Sequence, residues 1–118
     1  MEERRKDIRY RTLGRARIPE VFDGDMVLKD LSITGCRIQC TKPIEAIQLH
    51  TPYTIQIIPE SEVKTDMFEV LAESRWIRSR EDSYEAAFMI LESPKGKQFE
   101  CYVDYLVWRS GSISTTLP

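Results

Sequence analysis

Met26-Val27-Leu28-Lys29-Asp30-Leu31-Ser32-Ile33-Thr34-Gly35-Cys36-Arg37-Ile38-Gln39-Cys40 is the stretch on which the fold turns. Residues 26–31 read as a strand and residues 32–35 as a turn. Beyond the turn, Cys36, Ile38 and Cys40 alternate with Arg37 and Gln39, the period-two pattern of a half-buried strand. Strand, short polar turn and strand in direct succession argue for an antiparallel sheet. The turn also gathers chemistry. Asp30 supplies a carboxylate, Ser32 a hydroxyl, and Gly35 a point where another group can approach the backbone closely.

Working outward, residues 14–22 are strand-like through Ala16, Ile18 and the Val21-Phe22 pair, with Pro19 demoting them to an edge or bulged strand. Asp23-Gly24-Asp25 is a turn signal. Residues 41–52 form a polar connection with prolines at both ends. Tyr53, Ile55 and Ile57 then share one face of a β-rich segment over 53–58. A charged loop follows over 59–66. Phe68, Val70, Ala72, Ser74 and Trp76 alternate with Glu69, Leu71, Glu73, Arg75 and Ile77, which predicts a long strand with one apolar face. After a charged hairpin turn over 78–83, residues 84–91 form a short apolar strand covered on both faces. The period then changes. Ser93 is an N-cap with Pro94 at the first helical position. Phe99, Val103 and Leu106 recur at helical spacing, as do Cys101, Tyr105 and Trp108. A helix over 95–109 is predicted, stopped by Gly111. Its wide apolar stripe either closes the open end of the sheet or also meets a partner. The chain has no internal repeats. Its pattern predicts a mainly β protein, a small six-stranded antiparallel barrel with a C-terminal α-helix. The expected divisions are a flexible basic arm over 1–11, the barrel with its helix over 12–109, and a Ser/Thr-rich frayed tail over 110–118.

At 118 residues the chain suits one domain with one core. Apolar residues make up 42% and charged residues 31%, as in an ordinary globular protein. The net charge of −2 hides an asymmetry. Residues 1–17 hold seven Lys/Arg against three acids, whereas the rest hold ten against sixteen. A basic arm on an acidic body suits an arm that meets an anion and argues against a nucleic-acid-coated surface. The plainer reading is a solvated tail. Cys36, Cys40 and Cys101 are an odd number, and the charged residues 2–11 leave no apolar signal region. No apolar run approaches the ~20 residues that span a bilayer. A reducing cytoplasm, unpaired thiols and no membrane insertion follow as expectations. Only His50 could join Cys36 and Cys40 as a soft ligand, so no metal site is expected.

The order of features resembles the PilZ domain family. Arg5-Lys6-Asp7-Ile8-Arg9 matches its Arg-x-x-x-Arg motif in a flexible segment before the first strand. Asp30-Leu31-Ser32-Ile33-Thr34-Gly35 matches its Asp/Asn-x-Ser-x-x-Gly motif. Further similarity covers residues 72–78 around Trp76 and then 84–91, so the resemblance spans residues 3–108. Either motif alone is weak; both in order, with a β-rich interval, are specific. Two positions depart from the pattern: Ala87 stands where the family tends to have glycine, and Ile90 where phenylalanine often follows. The first crowds a ligand wall slightly and the second is a core swap of modest effect.

The resemblance implies a receptor for cyclic di-GMP, whose phosphates, guanine faces and guanine edges all suit arginine. The implied site comprises Arg4, Arg5, Arg9, Asp30, Ser32, Gly35 and, as a weaker candidate for phosphate contact, Arg37. Asp30 can accept from guanine N1–H and the exocyclic amine, an arrangement adenine does not offer. Ser32 can donate to a phosphate or base acceptor, and Gly35 matters because a Cβ would hold the ligand off the backbone. In the family, the residue before the arginine motif, here Arg4, bears on whether one ligand or an intercalated pair binds. Plainer readings stand beside these. Asp30 and Ser32 can cap the turn through local bonds, Gly35 can serve a positive φ, and the arginines can be solvated. The leading expectation is a non-enzymatic receptor with no cofactor, whose arm orders over the ligand and alters the fit to an effector protein. The alternative is a PilZ-like interaction module of pilus or motility systems that binds no nucleotide; such relatives typically lack the arginine motif. With a lone His50 and no nucleophile arrangement, a hydrolase is poorly supported. Direct nucleic-acid binding is weak too, since the aromatics fall at core-like positions.

Overall fold

The computed structural model describes residues 9–44, 46–92 and 97–115, with side chains to 110. Among them are seven strands and one helix: β1 (Tyr10–Arg11), β2 (Arg15–Arg17), β3 (Met26–Leu31), β4 (Gly35–Cys40), β5 (Pro52–Ile58), β6 (Phe68–Ser79), β7 (Tyr84–Glu92) and α1 (Gln98–Thr115). All pairings are antiparallel. β3, β2, β5, β6, β7 and β4 follow one another round the sheet, and β4 pairs back onto β3. The expected six-stranded barrel is therefore closed, and β1 is one strand more. Closure removes the free edges that an open sheet would present.

β1 and β2 lie end to end along one edge of β3, Tyr10 and Arg11 opposite Leu31 and Asp30, Arg15 and Ala16 opposite Val27 and Met26. Thr12 splices them. Its amide donates to the Lys29 carbonyl at 3.2 Å and its hydroxyl to the Leu28 carbonyl at 2.6 Å. The last two residues of the expected flexible arm are thus paired strand. The sequence hid this because the pairing is by backbone and only Tyr10 adds an apolar contact to the core. The strand-like residues 18–22 instead turn on the Ile18 carbonyl, which accepts from the amides of Val21 and Phe22 at 3.0 Å.

Alternation puts Met26, Leu28, Ile38, Ile55, Ile57, Val70 and Phe88 inside, a phase shift in β3 adds Leu31, and Ile44 and Ile47 of the long connection close over them. α1 adds Phe99, Tyr102, Val103 and Leu106, all buried. Phe68 meets Phe99 at 5.6 Å and Tyr102 edge-on at 6.2 Å between ring centroids. Each such side chain contributes about 1.5–3 kcal/mol when fully buried, more than α1's own propensity supplies. The helix end is fixed by polar contacts: Tyr102 donates to Glu60 at 2.5 Å, and Arg109 bonds Glu60 at 3.0 Å and the Arg11 carbonyl. Of the second half of the predicted stripe, Tyr105 packs partly buried against the core, whereas Cys101 and Trp108 are exposed. Nor does α1 stop at Gly111; it runs on to Thr115, a glycine inside a helix costing only about 1 kcal/mol. The proposed cap, Ser93 and Pro94, lies outside the described residues.

β6 departs from the predicted single apolar face. Phe68, Val70, Ala72 and Ser74 are buried, but the register shifts between Ser74 and Trp76. The bulge inserts Arg75 and reverses the alternation. Ile77 packs against the core and Trp76 turns outward, half-buried, opposite Ala87. Buried Ser74 anchors the preceding connection by accepting from the Thr51 amide at 3.2 Å and donating to the Gln48 carbonyl.

Candidate functional site

A second bulge builds the site. In β3, Leu28 pairs with Ile38 and Asp30 with Arg37, leaving Lys29 as the extra residue. Leu28 and Leu31 both stay fully buried, so Asp30 faces outward between them. The outer row then runs across the sheet as Arg11, Asp30, Arg37, Ala87 and Trp76, each opposite the next. A basic residue stands on either side of the acid, and an indole forms the far wall. Arg78 covers the Trp76 ring at 4.3 Å.

Asp30 is only 7% exposed. Arg37 donates to its Oδ2 from Nε at 3.0 Å and pairs with it as an ion through Nη2 at 2.8 Å. Oδ1 is buried with no hydrogen-bond partner among the described residues. A buried carboxylate oxygen left open is costly, and a ligand donor is one way to satisfy it. Ser32 is committed to the turn. Its Oγ accepts from the amides of Thr34 at 3.1 Å and Gly35 at 3.2 Å, and its own amide donates to the Gly35 carbonyl at 2.9 Å. Thr34 Oγ1 lies 3.0 Å from the Ser32 hydroxyl.

Gly35 has no positive φ, so its reason is space. A Cβ there would stand 2.7 Å from the Phe88 carbonyl oxygen and 3.2 Å from Arg9 Nη2. The second distance brings the two sequence motifs together: the Arg9 guanidinium lies against the glycine that ends the hexapeptide. Burial pushes the Cys36 thiol up to about 12, with the nearby Arg9 charge opposing the rise and the Asp30 charge adding to it. Arg4 and Arg5 lie outside the described residues. Of the predicted site, the fold therefore gathers Arg9, Asp30, Ser32, Gly35 and Arg37 on one side of the barrel.

Arg11, one of the arginines just upstream of the hexapeptide, sits directly opposite Asp30. Sequence reading missed one acidic neighbour. Glu85, in a strand read as apolar on both faces, is 1% exposed, yet Lys29 Nζ is 3.3 Å from its Oε2, and Arg80 Nε and Arg37 Nη1 are 3.6 and 3.9 Å from its Oε1. Its only signal was a lone acid in an otherwise apolar run. Elsewhere, the turn over 23–25 carries a carboxylate, but Arg15 and Arg17 already engage Asp25 and hold its pKa below the usual range. Among the described residues no three His, Cys, Asp or Glu side chains gather as a metal site, and no helix is long and apolar enough to cross a membrane.

Solved structures share this architecture. The Bacillus subtilis inhibitor of motility MotI/DgrA superposes with a TM-score of 0.66 at 18% identity over 88% of this chain. The domain is PilZ-like in fold. K. pneumonia MrkH in its apo state gives a TM-score of 0.63 at 12% identity over 90% of the chain. Borreliella burgdorferi PlzA, solved in complex with c-di-GMP, gives 0.52 at 12% identity over 92%. The chain spans about half the length of these proteins: 51%, 52% and 47%. No family model matches the chain and no curated protein is similar to it in sequence.

Proposed function

We propose that this PilZ-like domain is a non-enzymatic receptor for cyclic di-GMP that couples ordering of its N-terminal arm to an effector protein. The observation that carries the reading is the seating of Arg9 against Gly35, beside an outward carboxylate with one open, buried oxygen. The PlzA complex supports the same ligand class, and a motility inhibitor among the structural neighbours supports an adaptor role. In this reading Asp30 takes the guanine N1–H and amine, Arg9 and Arg5 grip phosphate and guanine through forked contacts, and Ser32 and Gly35 hold the turn in shape. Arg11 adds a cation at the same edge. Arg4 supplies a third guanidinium for a second, intercalated nucleotide. Residues 1–9 close over the ligand from the fixed point at Tyr10 and Arg11. Ordering each backbone residue costs roughly 1–2 kcal/mol, so only a ligand with both phosphate and guanine contacts closes the arm.

Calorimetric titration with cyclic di-GMP, GTP and cyclic di-AMP tests the reading. Saturable binding of cyclic di-GMP in preference to both others supports it; absence of binding overturns it.

A further inference from the structure

Arg37 stands between two buried carboxylates and satisfies only one. Its hydrogen bond and its closest ion contact both go to Asp30 Oδ2, while Glu85 Oε1 lies 3.9 Å from Nη1. Glu85 Oε1 is buried and, like Asp30 Oδ1, has no hydrogen-bond partner among the described residues. The flanking cations do not cure this. Lys29 serves the other oxygen, Oε2, at 3.3 Å, and Arg80 approaches Oε1 only to 3.6 Å, beyond a hydrogen bond. Glu85 is on β7 and Arg37 on β4, strands paired from Gly35 opposite Met89 to Cys40 opposite Tyr84, so both side chains project from a rigid wall.

We infer that Glu85 is a positioning residue that takes over Arg37 when the nucleotide engages Asp30. The inference rests on the proposed nucleotide site and says how that site opens. A guanine edge donates two hydrogen bonds, one to each Asp30 oxygen, so it competes with the guanidinium for the lone pairs of Oδ2 and weakens its hold there. Released into solvent, Arg37 would leave Glu85 Oε1 without a hydrogen-bond partner, as it is now. Turned toward Glu85, it fills that vacancy and exchanges its hold on Asp30 for a charge-assisted bond to Oε1. A guanidinium has five N–H donors, so Arg37 held by Glu85 keeps others for a phosphate. Asp30 and Glu85 thus form two stations for one cation, and the ligand selects between them.

The experiment has two arms. In the first, cyclic di-GMP is titrated into the parent, Glu85→Gln, Arg37→Ala and the double variant, with thermal melts to confirm folding. Glu85→Gln removes a negative charge near an anion, which on electrostatics alone would tighten binding. The exchange predicts the opposite, about tenfold weaker binding, and predicts that this loss vanishes in the Arg37→Ala background. Tighter binding by Glu85→Gln, or the same loss with and without Arg37, overturns the inference. The second arm uses no ligand, so it decides even if the parent does not bind cyclic di-GMP, the result that defeats the functional reading itself. The Arg37 Nε–H proton is followed by NMR in Asp30→Asn. It stays slow to exchange because Glu85 receives it, and exchanges freely once Glu85→Gln is added. Free exchange in Asp30→Asn alone overturns the inference.

Discussion

Replacing Gly35 with alanine separates what the fold requires from what a ligand requires. The new Cβ would sit 2.7 Å from the Phe88 carbonyl oxygen, about 0.7 Å inside the 3.4 Å at which ordinary contact begins. That oxygen cannot swing away. It belongs to the β4–β7 ladder, where Gly35 faces Met89 and the Ile90 amide donates to Thr34 at 2.9 Å. Overpacking of this kind costs about 1–3 kcal/mol, offset by about 0.4–1 kcal/mol from a stiffer unfolded chain. A net loss of about 1–2 kcal/mol lowers the melting temperature by about 3–6 °C for each kcal/mol in a domain of this size. Because Arg9 Nη2 lies 3.2 Å from the same point, cyclic di-GMP affinity should fall as well. Gly24→Ala is the control. Its φ of 117° makes alanine strained, but no neighbour lies within 4 Å, so stability should drop with affinity unchanged. Thermal melts and calorimetry on both variants decide. A Gly35→Ala protein that melts within about 1 °C of the parent would refute the packing argument and leave the ligand as the glycine's sole reason.

Arg9→Ala, and Arg5→Ala in the segment before the described residues, should each weaken cyclic di-GMP binding about tenfold to a hundredfold, or roughly 1–3 kcal/mol, by calorimetry, with unchanged melting. Asp30→Ala should erode the preference for cyclic di-GMP over cyclic di-AMP; equal losses for both would assign Asp30 to the barrel wall instead. The parent should bind two nucleotides per chain and Arg4→Leu fewer, which a one-to-one calorimetric endpoint for the parent would defeat. Amide exchange should show residues 1–9 gaining protection with cyclic di-GMP while β6 and the already paired Tyr10 and Arg11 change little. Protection of residues 1–9 before ligand is added would sink the ordering mechanism even if the nucleotide binds.

The barrel was legible because alternation survives any choice of surface residue. Met26, Leu28, Ile38, Ile55, Ile57, Val70 and Phe88 are apolar at every second position, and all are inside. The bulges at Lys29 and Arg75, two of the sheet's three register shifts, were not legible, because an inserted residue changes the phase of a strand without changing its composition. Trp76 shows the consequence: an apolar residue in step with Phe68 and Val70 leaves the inner face once Arg75 is counted twice against the partner strand. Local motifs named Asp30, Ser32 and Gly35, since those three are close in sequence as well as in space. Glu85 could not be named, because it meets Arg37 only through a strand pairing that no local pattern encodes.

The bulge at Lys29 is also the physical link between fold and site. Without it, strict alternation from buried Leu28 would put Asp30 inside the barrel and Leu31 in solvent. A carboxylate in that core would have to find partners among aliphatic side chains, at a cost of several kcal/mol. One extra residue turns Asp30 out to meet Arg37, returns Leu31 to the core, and leaves Lys29 free to reach Glu85. The same residue therefore keeps the core apolar and places the acid, its resident arginine and the second carboxylate on one wall. Any change that removed the bulge would lose the site and the packing together, which is why the two cannot be tuned separately at this position.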